Sequence, residues 1–424
     1  MGLSDSSGPS NQPAQVVNTL TDYSDIVDTE TISRIRDKAR GLRGSRVLHI
    51  NSTRCGGGVA EILSSLVPLM NDLGISTEWE IIDGRPEFFK LTKAFHNGLQ
   101  GSQLSFDKGM ERLYLETNQA FSECCDVDAD CVIVHDPQPL PLIEFCDKKT
   151  PWVWRCHVDL SCPDMALWDY LCRFVHKYDM CVLSSKGYVR DDLPVCQRVV
   201  HPAIDPLSPK NAEMPSEQVS ATIRSLGIPM DKPIVAQVSR MDAWKDPEGL
   251  VEVFDRVRRE VDCRLLYCYS SSIDDPEGPE VFSRTRQRAE TIGLNGEVVF
   301  VEGTDPRVVN AIQRFATVLV QKSIREGFCL CVTEALWKGK PVVGTAVGGI
   351  PLQLRQAENG FLVDPYDTRT FAEKIAEIIK NPEMARRMGG RGREVVREGF
   401  LITRLLSDYV DLLNDVVGSG NARS

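Results

Sequence analysis

The sequence is poor in the features that would direct it to a membrane, a metal centre or nucleic acid. No run among its 424 residues approaches the roughly 18 consecutive apolar positions of a membrane-spanning helix. The opening residues, MGLSDSSGPSNQPAQ, lack the apolar core of a secretory signal and read as a disordered tail over residues 1–20. Positive charge is in deficit. With 49 Lys and Arg against 60 Asp and Glu, the net charge of −11 argues against a general nucleic-acid binder and leaves room only for a local basic cleft. Cysteine is plentiful, at 14, but zinc-type spacing is missing: Cys124-Cys125 and Cys329-Leu330-Cys331 lack the paired intervals of such a site. Without a signal sequence the cysteines read as reduced thiols of a cytoplasmic protein. Cys131, Cys156, Cys181 and Cys268 lie inside apolar strands, where Cys serves as a small hydrophobe.

What is present is the pattern of a large α/β protein. Apolar residues at 42% and charged residues at 26% are globular values, and a chain this long suggests two domains, each burying its own core. An amphipathic helix over Thr31 to Leu42 precedes a first strand, Arg46 to Asn51. A turn over Ser52 to Gly58 follows, ending in three glycines. Val59, Ile62, Leu63, Leu66, Met70 and Leu73 then mark the buried face of a helix that Pro68 should interrupt and kink. The loop is neither G-x-G-x-x-G nor a Walker A sequence. Consecutive glycines remove every Cβ where a ligand approaches the backbone, so Gly57 and Gly58 are candidate contacts; a tight turn needing positive φ is the plainer reading.

Strands over Glu78 to Ile82, Cys131 to His135, Trp152 to His157 and Met180 to Leu183 alternate with helical stretches, which implies a mainly parallel sheet. In such sheets functional groups gather at the carboxyl ends of strands. Asn51, Asp136, His157 and Asp159 lie there and are candidate ligand contacts. His157 is either a hydrogen-bond partner or proton acceptor for a bound ligand, or a structural histidine. The Asp126–Asp128–Asp130 cluster has the form of a metal-holding D-x-D, but it precedes its strand and so belongs to the amino end, away from the cleft. No metal is expected.

Four prolines over His201 to Pro215 mark a linker. Beyond it the pattern repeats, with strands over Ile234 to Val238, Arg264 to Tyr269, Val298 to Val301, Ala316 to Gln321, Pro341 to Gly344 and Phe361 to Val363. The first of these runs into Arg240 and Lys245. A planar fork and a movable point charge at the mouth of a parallel sheet suit a diphosphate, although R-x4-K alone is also ordinary surface charge. A glycine cluster, Gly344 to Pro351, faces the same side.

Residues 316–338 are the most informative. A buried strand gives way to a loop over Lys322 to Glu326, and Gly327 opens a segment whose apolar residues recur at helical spacing. Such a turn aims free N–H groups and a positive dipole end past the strand, a ready phosphate site. Glu326 and Glu334 stand eight residues apart, about 12 Å along a continuous helix. One could bind the hydroxyls of a hexose and the other those of a ribose. An amphipathic helix with two solvated glutamates is the simpler alternative.

This E-x7-E segment resembles the signature of retaining, family-four glycosyltransferases of the GT-B fold. His49 to Glu61, Phe95 to Gly101, His135 to Gln138 and Trp154 to Ser161 resemble one subgroup, the trehalose synthases, and Ser323 to Phe328 and Ala346 to Ile350 continue the match. Two positions depart from that pattern: Cys329 stands where Gly is usual, and Ser270-Ser271-Ser272 follows a strand where a glycine is common.

The resemblance implies two Rossmann-like domains around a cleft: an acceptor domain over 21–204, a donor domain over 205–401, and a terminal helix, 402–417, crossing back to the first. It implies retention by front-face attack on a nucleoside-diphosphate glucose by glucose, with no cofactor and no metal. Catalytic roles would fall to Glu326, Arg240, Lys245 and His157. Donor contacts would come from Gly57, Gly58, Gly327, Phe328, Cys329 and Glu334 as well. A homodimer is compatible with the sequence. A trehalose phosphorylase using phosphate, another family-four transferase and a non-catalytic sugar-nucleotide binder all stay open, as does the choice of nucleotide.

Overall fold

The computed structural model describes residues 18–54, 56–270 and 277–418. Most of the expected N-terminal tail, Cys55 of the glycine turn, and Ser271 and Ser272 lie outside the described residues. The tail reading was too long at its inner end. Leu20 to Tyr23 form a 3-10 turn in which Leu20 and Tyr23 are fully buried.

Twelve strands form two parallel sheets. The first contains β1 (Arg46–Asn51), β2 (Ser76–Ile81), β3 (Cys131–His135), β4 (Trp152–Cys156), β5 (Met180–Leu183) and β6 (Cys196–Val199), in the order β2-β1-β3-β4-β5-β6. The second contains β7 (Ile234–Arg240), β8 (Arg264–Ser270), β9 (Val298–Glu302), β10 (Val318–Gln321), β11 (Val342–Thr345) and β12 (Gly360–Val363), in the order β12-β11-β10-β7-β8-β9. Central strands such as β3, CVIVH, are buried along their whole length, because helices cover both faces of a parallel sheet. β6 was not anticipated. Its sequence, CQRV, is half polar and mostly part-exposed, as suits an edge strand paired only to β5.

Each sheet changes winding direction once, between β1 and β3 and between β7 and β10. Ligands of open α/β sheets bind outside the carboxyl ends of strands at such switch points. Asn51, His135 and Asp136 therefore stand at one switch point, and Arg240 and Lys322 at the other.

Two other expectations need correcting. The helix Gly58–Asp72 runs through Pro68 without a break. A proline deprives only one carbonyl of its partner, and Leu63, Leu66, Leu69 and Met70 are all packed in the core around it. The helix of the E-x7-E segment begins at Leu330, not at Gly327, so Glu326 is a loop residue and the helical spacing between the two glutamates does not apply.

The terminal helix Ile402–Gly418 lies against the first sheet, where Leu405, Leu406, Tyr409 and Leu413 share a core with Leu63 and Val182. Lys38 pairs with Asp411 at 2.6 Å, and the Asn414 amide donates to the Lys38 carbonyl at 3.0 Å. The chain thus crosses between the sheets twice. The crossings touch: Ile204 N–H donates to Phe400 O at 3.0 Å, and Ile402 N–H donates to Ile204 O at 2.8 Å.

Candidate active site

β7 ends at Arg240, and the chain then makes a tight 3-10 turn, Ala243–Lys245, before the helix Pro247–Val257. Two aspartates shape this turn. Asp242 caps it by accepting from Trp244 N–H at 2.9 Å; Asp246, in a left-handed conformation at φ 46°, accepts from Gly249 N–H at 3.0 Å and starts the helix. Lys245 is thereby aimed at the loop after β10, where its ammonium forms an ion pair with the Glu326 carboxylate. Ser323 Oγ donates to the same carboxylate oxygen at 3.2 Å. Burial opposes the Lys245 charge, but the Glu326 charge and hydrogen bond, with smaller contributions from Cys329 and Asp242, together hold the ammonium above its usual range.

Arg240 lies beside this pair, 3.4 Å from Asp242. Asp242 also receives Lys93, at 2.7 Å, from the helix Pro86–Leu99 of the first-sheet half; both side chains are nearly fully buried. Burial opposes the Asp242 charge, yet Lys93 and Arg240 prevail and keep its carboxyl well below the usual range. Lys93 was missed by sequence reasoning. So was Asn97, one turn on, which accepts from Trp244 Nε1 at 3.1 Å and donates to Glu277 at 2.9 Å. The available signal was the motif Phe95 to Gly101, read for its resemblance rather than for what its helix reaches.

Glu326 and Gly327 are held from both sides. Tyr188 of the first-sheet half donates its hydroxyl to the Glu326 and Gly327 carbonyls, at 3.0 and 2.6 Å. A Cβ on Gly327 would stand 2.3 Å from the His157 carbonyl oxygen. A Cβ on Gly348, whose φ is +55°, would stand 1.7 Å from the Glu326 carbonyl oxygen. Gly327 thus lets the backbone of one half touch that of the other, and Gly348 lets two loops of the second-sheet half close on each other. Gly58 faces the Leu330 side chain across the halves, whereas the space before Gly57 is open. Gly56, not Gly57 or Gly58, takes the positive φ of the turn, at 87°.

Glu334 has other partners. It is fully buried, with Lys210 at 2.9 Å and Gln313 Nε2 donating at 2.7 Å. Lys210 also pairs with Glu61 at 2.8 Å, and Lys338 donates to Asn211 Oδ1 at 2.7 Å nearby. Lys210 and Lys338 overcome the burial of Glu334 and depress its carboxyl, while burial lowers Lys338 to about 7. The two glutamates of the signature thus pair with different lysines, Lys245 and Lys210.

The first-sheet candidates are mostly committed to their own backbone. Asn51 accepts from Trp79 Nε1 at 2.7 Å and donates to Thr53 O at 2.9 Å. Asp159 accepts from Ser161 N–H at 2.8 Å. Asp136, at φ 61°, accepts from His157 N–H at 2.6 Å, and burial pushes its carboxyl up to about 7. The His157 ring joins the ring of His135, Nε2 to Nδ1, at 3.1 Å. The Asp126–Asp130 cluster does sit at the amino end of β3: Asp130 accepts from Arg46 N–H and Asp128 pairs with the Arg46 guanidinium.

Residues 49–190 match the trehalose synthase N-terminal domain family, and residues 219–395 match the glycosyl transferases group 1 family. The chain is 44% identical to the trehalose synthase of Pyrococcus horikoshii over 406 residues, covering 94% of this chain and 97% of that one. It is 41% identical to that of Rubrobacter xylanophilus over 411 residues, with the same coverages. The chain belongs to the trehalose synthase family. It is a hexosyltransferase, a trehalose-related glycosyltransferase with the GT-B fold. The trehalose phosphorylase of Grifola frondosa is more distant, 24% identical over 89% of this chain and 59% of its own. Two solved structures share the fold at a TM-score of 0.71 and cover 88% of this chain and all of their own: sucrose-phosphate synthase of Thermosynechococcus elongatus, 19% identical, and a trehalose-phosphate synthase (UDP-forming) of Burkholderia vietnamiensis, 15% identical.

Within this trehalose synthase family member, Cys329 has a physical explanation to answer for. It caps the helix Leu330–Trp337 at φ 74°, in the region that glycine enters without cost. Gln353 holds the strained turn by donating to Phe328 O at 2.6 Å and to Cys329 O at 3.3 Å. Phe328 is buried, its ring 5.6 Å from that of Phe400 at the second crossing. Among the described residues no helix is long and apolar enough to cross a membrane.

Proposed function

We propose that the protein is a retaining glucosyltransferase that makes trehalose from a nucleoside-diphosphate glucose and glucose, reversibly. The observation that carries this reading is the Lys245–Glu326 ion pair, with Arg240 beside it, at the switch point of the second sheet and against Tyr188 and His157 of the first-sheet half. When a donor binds, Lys245 and Arg240 leave their carboxylate partners for the diphosphate, and Glu326 takes glucose hydroxyls. Breaking the sugar–phosphate bond builds negative charge on the departing phosphate. Two fixed cations and the N-terminus of the helix Leu330–Trp337 stabilise that charge, normally the largest single contribution to such a rate. The phosphate oxygen then accepts the proton of the attacking acceptor hydroxyl on the same face of the sugar, which retains configuration. With cations supplied by side chains, the reaction runs without a divalent metal.

In this reading residues 205–401 hold the donor and residues 21–204, with Asn51, Asp136, His157 and Asp159, receive the acceptor. Glu334 holds the ribose, after Lys210 gives way. Gly57, Gly58, Gly327, Phe328 and Cys329 line the donor.

Incubation with nucleoside-diphosphate glucose and glucose in excess chelator is the test, with analysis for trehalose. Parallel samples receive trehalose and inorganic phosphate. Trehalose and free nucleotide in the first arm support the reading; loss of turnover that magnesium restores overturns the metal independence. Glucose 1-phosphate in the second arm, with no product in the first, would make the protein a phosphorylase.

A further inference from the structure

Three of the six histidines form a chain inside the first sheet. His49 on β1 joins His135 at the end of β3, Nδ1 to Nε2, at 2.9 Å; His135 joins His157, just past β4, Nδ1 to Nε2, at 3.1 Å. The rings are stacked, with centroids 5.2 and 5.4 Å apart. His49 and His135 are buried, so the chain runs from the core to the cleft and ends on the ring whose backbone touches Gly327. The parallel register places them diagonally: His49 is opposite Ile133 and His135 opposite Arg155, so each histidine reaches the one two residues further along the neighbouring strand or just past its end.

Burial, reinforced for His135 and His157 by the charge of Arg155, keeps all three rings neutral: His49 is lowered to about 3 and the others well below their ordinary value. A neutral imidazole has one N–H and one bare nitrogen, so each N···N contact needs one of each. The whole chain therefore has two arrangements. In one, every ring carries its proton on Nδ1, His49 donates to His135 and His135 donates to His157. In the other, every proton is on Nε2 and the donations reverse. The inner end distinguishes them. His49 Nε2 is buried and has no partner among the described residues. The first arrangement leaves a bare lone pair there; the second leaves an orphaned buried N–H, the rarer of the two defects in folded proteins.

We propose that His49 and His135 are positioning residues that fix His157 as the Nδ1–H tautomer, so that it presents a hydrogen-bond donor to the sugar. The proposal rests on the transferase reading for its substrate and assigns His157 one of the two roles open to it: donor to a substrate oxygen, not acceptor of a proton. The two inner histidines would then set the polarity of a contact that neither makes.

The tautomers are read directly by nitrogen NMR of the full-length protein labelled with 15N-histidine, since protonated and bare ring nitrogens resonate far apart. Signals are assigned by replacing His49, His135 and His157 one at a time. The expected spectrum has protonated Nδ1 and bare Nε2 for all three rings. Protonated Nε2 on His157, or a doubly protonated ring at neutral pH, overturns the proposal. Kinetics supply a second reading. His135→Asn keeps an amide N–H close to the Nδ1 position, whereas His135→Gln moves it to the Nε2 position. The Gln variant should lose about tenfold more in kcat/KM than the Asn variant, the worth of one hydrogen bond. Equal losses in two variants that fold alike would reduce His135 to a structural role. The spectrum needs no substrate, so a failed trehalose assay with the expected tautomers would sink the transfer reading and leave the polarity standing.

Discussion

Lys245 and Glu326 must part for the proposed reaction to run, and that separates the consequences of losing either from those of losing Glu334. Lys245→Ala and Glu326→Ala each remove a group that acts where charge changes, so turnover should fall about a hundredfold, roughly 3 kcal/mol of transition-state stabilisation. Glu334→Ala should instead raise the donor KM, since a ribose is held equally in ground and transition states. It carries a second cost: the variant leaves the half-buried Lys210 with Glu61 alone, so stability should fall, by less than the about 3–5 kcal/mol typical of truncating a fully buried pair. Steady-state kinetics and thermal melting on the three variants decide the matter. An unchanged donor KM with collapsed turnover in Glu334→Ala would mean the roles of the glutamates are exchanged. Asp136 makes a pH prediction. Its carboxyl is pushed up to about 7 by burial, against the His157 N–H and Arg155, so the folded state keeps a proton that the unfolded chain releases near pH 4. The stability this proton confers is present below pH 4 and is lost as pH rises to 7. Asp136→Asn keeps the acceptor for His157 N–H and does not titrate. Melting curves should show the native protein falling behind this variant across pH 4–7; parallel curves would refute the raised value.

At the scale of elements, the parts fixed by local pattern were legible and the parts fixed by distant contacts were not. β1, β3 and β5 run over the expected residues because a strand buried on both faces is a continuous apolar run, as in Met180-Cys-Val-Leu183. β6 carries no such run and is a strand only because β5 lies beside it. The late start of the helix at Leu330 was hidden for a similar reason. Nothing within residues 326–330 demands the left-handed turn at Cys329; Gln353 and the close approach of Gly348 and Gly349 impose it from another element. Arg240, Lys245 and Glu326 could be named as charged groups at strand ends, but the pairing of residues 81 positions apart could not. Lys93 shows the same limit: alone it is a lysine on a helix, and only the fold brings Asp242 to it. Two predictions follow from these contacts. Lys93→Met should destabilise the protein by about 3 kcal/mol, because Asp242 is left buried with less compensation; denaturant melts with an unchanged midpoint would show the pair to be dispensable. Gly348→Ala should cut turnover about a hundredfold without touching substrate, since its methyl group must displace the Glu326 backbone, and misplacement by about 1 Å can cost that much. Turnover within a factor of three of the unmodified protein would mean that Glu326 need not be held where it is.

The whole molecule is a closed cleft latched by polar contacts. Lys93 to Asp242, Asn97 to Glu277 and Trp244, and Tyr188 to the Glu326 carbonyl all run from one half to the other, and Lys210 ties Glu61 to Glu334. Polar contacts of this kind break and re-form more readily than a hydrophobic core, so rigid-body motion is the default expectation. The linker read from the prolines, His201 to Pro215, is doubled at its start. Ile204 exchanges backbone hydrogen bonds with Phe400 and Ile402, and Arg404 donates to His201 O at 2.8 Å, so both crossings bend as one strap while the terminal helix stays with the first sheet. In the proposed reaction a nucleotide sugar has to reach a Lys245 that is half-buried and paired with Glu326, so the halves are expected to separate first and close again over the donor. In solution the ligand-free protein should therefore scatter as a mixture containing an open form, and saturating nucleoside-diphosphate glucose should shrink its radius of gyration. Lys93→Ala removes a latch that lies away from the strap, so it should enlarge the ligand-free radius and raise the donor KM while leaving the liganded radius alone. A scattering profile that neither the donor nor the substitution changes would mean that the cleft admits its substrates without opening, and the strap would then be a brace.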